Sequence, residues 1–362
     1  MPPECITSGD IMTASPARSD RTGFVERDRP SLTVAVTGPT GTFGFGLVPL
    51  LQDEPRVGRI VGIARRPFDP SRHGWDKMAY RRGDVRDPES LREAFQGADA
   101  VVHLAFMITG NAPLRTIRAI NVEGTLNAFA AARAAGAARF VYASSVAAYG
   151  FHADNPEGMT EEWPTRPAAR LFYAREKAEL EELLAREAAR AGAPALYVLR
   201  PPIVVGPHAL GAKGSLPAPA DAAARRLLAL VRASPVPIPV LAPAVRLQLI
   251  HEEDVGRALL LCVLGAGPPG AYNVAGDGVV GGADVARELG LAPLPVPAAV
   301  VERAARLVAA LPRPRFLPPA IDWVEAASRP AIMDTTKARR ELGWEPRHTG
   351  LDALRDALKA FG

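Results

Sequence analysis

Only two cysteines, Cys5 and Cys262, occur in 362 residues, too few for a disulfide framework and consistent with a reducing cytoplasm. No apolar run reaches the roughly 20 residues that a membrane-spanning helix needs, so no membrane partner is expected. Dense lysine or arginine runs are missing as well. The net charge of +4 is spread along the whole chain, which leaves nucleic-acid binding without its electrostatic footprint. No metal site is expected, and internal repeats are absent. Residues 1–30 have neither sustained periodicity nor the apolar core of a signal peptide; they read as a disordered tail, with Met12 able to serve as a second start. What is present is a globular composition, 48% hydrophobic and 23% charged, long enough for one large domain or two medium ones.

The chain is organised around Leu32-Thr-Val-Ala-Val-Thr-Gly-Pro-Thr-Gly-Thr-Phe-Gly44. An apolar run from Leu32 to Val36 reads as a buried strand. Three glycines follow, Gly38, Gly41 and Gly44, and then an apolar stretch from Phe45 to Leu51 suited to a helix. Glycines serve here because the turn is tight and a pyrophosphate must approach bare backbone. The phosphate then sits at a helix N-terminus, where free N–H groups and the helix dipole favour negative charge. Pro49 is expected to kink or shorten that first helix.

Downstream, strands and helices alternate. Ile60–Ala64 is a second strand, followed by Arg65 and Arg66. An acidic residue at this distance would bond the adenosine ribose of NAD. The position holds Ala64 instead, and guanidinium groups suit a 2′-phosphate, so NADP is favoured, with NAD as the other option. Met78–Arg82 is a third strand ending at Gly83-Asp84-Val85, where Asp84 is placed either to accept from an adenine amino group or to make a turn. Ala100–Ala105 is a fourth strand whose His103 reads as structural, with Phe106, Met107 and Ile108 forming an apolar lip beyond it. A helix from about Pro113 to Ala135 carries Asn121. Strand five, Phe140–Ala143, delivers Ser144 and Ser145, and a long helix from Ala169 to Arg190 carries Tyr173 and Lys177 on one face. Ser144 and Tyr149 read as structural. Strand six spans Ala195–Arg200, and the last core strand lies at Ala271–Gly276.

The alternation stops after Pro207. Residues 208–246 are rich in Pro, Ala and Gly around one helix, Asp221–Ala233, and the chain from Ala283 is mainly amphipathic helix with a Pro-rich stretch from Pro312 to Pro319. The reading is a doubly wound parallel α/β sheet of Rossmann type, built from 31–207 plus 247–276. A smaller, mainly helical substrate-binding domain comes from 208–246 plus 277–362.

Taken together, Thr37-Gly-Pro-Thr-Gly-Thr-Phe-Gly44, Gly83-Asp-Val85, His103-Leu-Ala105, Asn121-x-x-Gly-Thr125, Ser144-Ser145, Tyr173-x-x-x-Lys177, Arg200-Pro201, His251-x-x-Asp254 and the Asp334 to Pro346 segment resemble the extended short-chain dehydrogenase/reductase family, also called NAD-dependent epimerase/dehydratases. The resemblance implies that Gly38, Thr40, Gly41, Thr42, Phe43, Gly44, Arg65, Arg66, Asp84, Val85, Leu104, Ala105, Tyr173, Lys177, Pro201 and Ile203 line the cofactor. It also implies that Ser145, Tyr173, Lys177 and Asn121 are catalytic. A free tyrosine, with pKa about 10, is too weak a base at pH 7. Lys177 one turn away and an oxidised nicotinamide favour its phenolate. Ser145 would hold the reacting oxygen, and Asn121 would anchor a water relaying protons through Lys177. Related enzymes commonly pair the Asn121 and Tyr173 helices in a homodimer, for which Leu180, Leu183 and Leu184 supply apolar spacing.

The substrate is a small molecule in contact with Phe106, Met107, Ser145 and Arg246. Dehydratases of the family place Thr-Asp-Glu where Ser145-Val146-Ala147 stands, so elimination of water lacks its acid and base. Epimerases place Asn at the position of Ile203 and Arg at that of Leu247, both toward phosphate. The expectation is therefore hydride transfer on a largely apolar molecule, with nucleotide-sugar 4-epimerisation as the alternative and a non-catalytic NADP-binding regulator as a further one.

Overall fold

The run Leu32-Thr-Val-Ala-Val-Thr forms β1 (Leu32–Thr37), and its last four residues are buried, as befits the centre of a parallel sheet covered on both faces. The computed structural model describes residues 31–108, 112–169, 171–209, 226, 238–297, 299–300, 303 and 331–361. The tail, the Pro312–Pro319 stretch and, apart from Arg226, the helix expected at Asp221–Ala233 lie outside the described residues.

After β1 come α1 (Thr42–Asp53), β2 (Val57–Ala64), β3 (Met78–Arg82), α2 (Pro88–Phe95) and β4 (Ala100–His103). Next are α3 (Leu114–Arg118), a π-helical turn (Ala119–Glu123), α4 (Gly124–Ala134), β5 (Arg139–Ala143), α5 (Phe172–Ala188), β6 (Ala195–Arg200) and β7 (Ile203–Val205). The remainder holds β8 (Ile238–Pro243), β9 (Arg246–Leu247), β10 (Leu249–His251), α6 (Glu252–Leu264), β11 (Gly270–Asn273), β12 (Val280–Gly281), α7 (Gly282–Glu288), β13 (Leu291–Val296), α8 (Thr336–Leu342) and α9 (Gly350–Phe361). Seven strands make one parallel sheet in the order β11-β6-β5-β4-β1-β2-β3. The winding reverses between β1 and β4, so a ligand crevice opens at their carboxyl ends.

One sheet face packs under α1 and α6, which cross at backbone contact. A Cβ on Gly46 would stand 2.1 Å from the Glu252 carbonyl oxygen, and one on Gly256 would stand 2.0 Å from that of Gly46. Only glycine permits this approach. The C-terminal segment is tied to the same helix through buried Asp254, which accepts from Arg347 N (2.8 Å) and His348 N (3.1 Å). Buried Trp344 donates its Nε1–H to the Asp254 carbonyl at 2.9 Å.

The structure departs from the sequence reading in four places. Helix α1 runs four residues past Pro49, to Asp53, because a proline here removes one hydrogen bond from a helix held by packing. The Pro113–Ala135 helix is interrupted by the π-turn, with Asn121 inside it. Among the strands not anticipated, β8 and β13 pair in parallel despite Pro239, Pro243, Pro293 and Pro295. In each strand the prolines sit an even number of residues apart, so their missing N–H groups fall on one edge. The described part of the expected helical second domain therefore contains small sheets as well as helices. Finally, Leu180 and Leu184 are fully buried in the core of the single chain and Leu183 is partly buried against it, so this apolar spacing does not by itself bear on a dimer.

Candidate active site

Local geometry at the end of β1 fits a dinucleotide. Gly38 has φ 69°, and its N–H donates to the Ile63 carbonyl at 2.9 Å. A Cβ there would stand 3.0 Å from Ala105 N, whereas one on Gly44 would stand 2.0 Å from the Pro39 oxygen. Gly41, the N-cap of α1, brings no capping side chain, and the first turn carries no acidic residue. The positive end of a twelve-residue helix is thus left bare between half-buried Thr40 and buried Thr42, an arrangement that suits a pyrophosphate. Phe43 is half-buried and packs against the core.

His103 is structural, and its tautomer follows from its neighbours. Thr125 Oγ1 donates to the Asn121 carbonyl, so it accepts from His103 Nε2–H at 3.0 Å. His103 Nδ1 therefore accepts from Thr37 Oγ1 at 2.9 Å, while Thr37 Oγ1 in turn accepts from Leu104 N and Ala105 N, each at 3.2 Å. Burial pushes the imidazole down to about 3, which keeps it neutral. The chain of bonds fixes the backbone of Leu104 and Ala105 against the glycine turn.

At the carboxyl ends of β2 and β3, Arg65 and Arg66 are exposed, and neither forms an ion pair among the described residues. Their carbonyls are held by Arg82 Nε, 3.1 Å from Arg65 O, and by the Tyr80 hydroxyl on Arg66 O. Asp84 does not present a free carboxylate for an adenine. Arg86 donates to it from its backbone N (3.0 Å), Nε (3.1 Å) and Nη2 (2.7 Å) and holds its carboxyl below the usual range. These bonds give it the turn role its position allowed. Val85 packs into the core, where a Cβ on Gly124 would meet its Cγ2 at 2.5 Å.

Ser145, Tyr173 and Lys177 do meet. Ser145 leaves β5 in extended backbone, caps a short 3₁₀ turn by accepting from Ala147 N at 3.2 Å, and hydrogen-bonds the Tyr173 phenol. Lys177 donates to the Ala143 carbonyl at 2.6 Å. Its Nζ stands 3.6 Å from the centre of the Phe106 ring, 4.7 Å from that of Tyr142 and 5.8 Å from that of Tyr173. Burial pulls the ammonium down to about 7, against the pull of Glu181 and Glu176, and the aromatic faces also favour its charged form. Contrary to the expectation that Lys177 lowers the Tyr173 pKa, burial dominates and pushes the phenol up to about 12; only the Ser145 bond opposes it. In the chain alone, desolvation sets the phenol.

Asn121 is fully engaged. Its Oδ1 accepts from Met107 N at 2.7 Å, and its Nδ2 donates to Met107 O at 3.0 Å and to Glu176 Oε2 at 2.7 Å. Both amide hydrogens are taken, leaving one lone pair on Oδ1 for a relay water. Glu176 and Glu181 were not singled out in the sequence, although Glu181 lies four residues beyond Lys177 and the spacing was there to read. Beneath Ser145, Glu181 accepts from Ser144 Oγ and pairs with Arg200, whose Nη1 reaches the Tyr149 hydroxyl at 2.6 Å. Tyr149 donates to Asn273 Oδ1 at 2.8 Å. Ser144 and Tyr149 are structural.

The expected substrate-side residues divide. Phe106 packs edge-on to Tyr173 at 5.6 Å, and Met107 is clamped beside it. Pro201 is buried, its carbonyl accepting from Val146 N at 2.9 Å, whereas Ile203 is 46% exposed. Arg246 is exposed and ion-paired with Glu157.

A parallel sheet wound about an uncapped glycine turn is the architecture of a dinucleotide-binding enzyme. Residues 34–275, more than half of the chain, match the NAD dependent epimerase/dehydratase family, and the chain belongs to that family. It is accordingly an NAD(P)-dependent enzyme of the epimerase/dehydrogenase kind, acting on a small substrate. An uncharacterised protein of Mycobacterium tuberculosis is 27% identical over 91% of this chain and 84% of its own. A ceramide reductase of Caulobacter vibrioides is 30% identical over 63% of this chain and 59% of its own. In fold, the chain is similar to the UDP-glucose 4-epimerase of Thermotoga maritima solved with UDP-glucose. There the TM-score is 0.68 at 19% identity, over 91% of this chain and 98% of that one. No helix among the described residues is long and apolar enough to cross a membrane.

Proposed function

We propose that the protein moves a hydride between a nicotinamide dinucleotide and a hydroxyl or ketone carbon of a small molecule. The hydrogen-bonded Ser145–Tyr173 pair backed by Lys177, at the carboxyl edge of β4 and β5, is the observation that carries this reading. The nicotinamide supplies or takes up the hydride; the chain handles the proton. Ser145 Oγ holds the reacting oxygen against the phenol. In oxidation the hydroxyl proton passes to Tyr173 Oη as phenolate, and in reduction Tyr173 returns it. Lys177, as ammonium, favours that phenolate. Gly38, Gly41 and Gly44 leave the backbone bare for the pyrophosphate, and Lys177 would hold the nicotinamide ribose. Residues 208–246 and 277–362 are assigned to substrate recognition.

The cofactor is NADP on this reading, because Ala64 places no carboxylate at the ribose and the Arg65 and Arg66 guanidinium groups stand without acidic partners among the described residues. NADPH is expected to bind more tightly than NADH. Replacing both arginines by Ala should narrow the gap by about tenfold or more, since a charge-assisted contact is worth roughly 1.5–3 kcal/mol. Fluorescence titration checks it; an NADH preference, or an unchanged ratio in the double variant, would rule it out.

For the substrate, fold neighbours named as nucleotide-sugar enzymes support epimerisation of a UDP-hexose as the first reading, ahead of the apolar molecule expected from the sequence. Micromolar binding of UDP-glucose and UDP-galactose by calorimetry, with interconversion of the two, is its expected outcome. A specific observation keeps the second reading: exposed Ile203 stands where an Asn would help hold a diphosphate, and Arg246 is engaged by Glu157. The likeness to a ceramide reductase points the same way. Under it, neither sugar nucleotide binds and hydrophobic ketones are reduced with NADPH. Cofactor binding without turnover on either set would favour a regulator.

A further inference from the structure

Glu176 is a buried carboxyl that the chemistry above does not use. It is 7% exposed, yet it forms no ion pair among the described residues. The nearby guanidinium of Arg118 is taken by Glu179, with contacts of 2.7 Å and 2.6 Å. Its side-chain hydrogen-bond partner among the described residues is the neutral amide of Asn121, at 2.7 Å. Burial pushes it up, opposed first by that hydrogen bond. An acid desolvated next to a catalytic lysine is retained at a cost, so its bond to Asn121 calls for a role.

The role follows from what Asn121 does with its other atoms. A primary amide has two N–H donors, and here one goes to Met107 O while the other goes to Glu176. With Oδ1 accepting from Met107 N, the amide grips both polar atoms of one residue in the lip that follows β4. The residue before it, Phe106, lays its ring 3.6 Å from Lys177 Nζ and edge-on to Tyr173. Asn121 itself sits in a π-turn, a local widening often found at functional sites. Without an acceptor for its second N–H, the amide is free to rotate off Met107.

We propose that Glu176 is a positioning residue of the reaction centre: by accepting from Asn121 it locks the clamp on Met107 and so sets the Phe106 ring against Lys177 and Tyr173. The inference rests on the reaction centre proposed above, but its test does not need a substrate. In the full chain saturated with NADPH, backbone hydrogen exchange is followed by mass spectrometry for the peptide covering residues 104–108. Glu176→Ala should speed exchange there about tenfold or more, the order expected for a lost hydrogen bond to a charged acceptor, while Glu176→Gln, which keeps an acceptor oxygen, leaves it near the wild-type rate. Asn121→Ala should match Glu176→Ala, and the double variant should add nothing further. A merely structural acid would speed exchange across α3, α4 and α5 alike, with additive effects and no rescue by Gln. Unchanged exchange at 104–108 in Glu176→Ala, or additivity in the cycle, overturns the proposal. Should the exchange behave as expected while Tyr173→Phe keeps full turnover, the clamp stands and the reaction centre is misassigned.

Discussion

Tyr173→Phe is expected to fold, bind its dinucleotide and lose at least about 100-fold in kcat, the lower bound for removing a general acid/base. The substitution deletes one oxygen, and the ring stays where it packs against Phe106 at 5.6 Å. Because the phenol is buried and pushed up to about 12, it is protonated in the chain alone near neutral pH. That state suits an acid in reduction. In oxidation the group must first lose its proton, which requires a positive charge beyond what Lys177 supplies, since Lys177 is itself pulled down to about 7. The sign of the pH dependence follows. Reduction should hold up toward acidic pH, where Tyr173 and Lys177 both carry protons. Oxidation should climb as pH rises and the phenolate becomes accessible. Initial rates in both directions across pH 6 to about 10, with Tyr173→Phe beside the wild type, check the assignment. Near-full turnover by the Phe variant would remove Tyr173 from the mechanism.

The sheet and the meeting of Ser145, Tyr173 and Lys177 were legible because both are written in local pattern. Apolar runs of four to six residues punctuated by glycine mark the parallel strands, and β3 and β6 fall where the sequence placed them. Tyr173 and Lys177 are fixed to one helix face by their spacing alone. Other features depend on distant partners. Asp84 meets Arg86, Val85 packs on Gly124, and Leu180 and Leu184 close the core, none of which periodicity reveals. The β8–β13 pair was hidden by its prolines, whose compatibility with a strand depends on which edge faces the partner. Glu176 escaped notice because a glutamate on a helix reads as a solvated surface residue. Its importance appears only once Asn121 is seen to reach it across 55 positions of sequence.

Arg200→Met is expected to cost about 3–5 kcal/mol of stability, the range for orphaning one member of a buried ion pair. The Arg200 and Glu181 side chains are only 8% and 10% exposed, so solvent screens the pair little. Arg200 Nε lies 3.1 Å from each Glu181 oxygen, and its Nη1 serves Tyr149 at 2.6 Å and the Glu161 carbonyl at 3.1 Å. Methionine fills much of the stem's volume but none of these bonds. Glu181 is left facing the Ser144 hydroxyl without its ion-pair partner, and Lys177 is then the nearby cation that acts on it. Replacing both partners, Arg200→Met with Glu181→Leu, should cost less than the single change, since no buried charge then remains. Denaturant unfolding of the three proteins at neutral pH measures both changes. A single variant within about 1 kcal/mol of wild type, the worth of an exposed pair, would mean that water reaches the pair. A double variant no better than the single would place the cost in lost packing, and Glu181 would then be a spectator to the placement of Ser145.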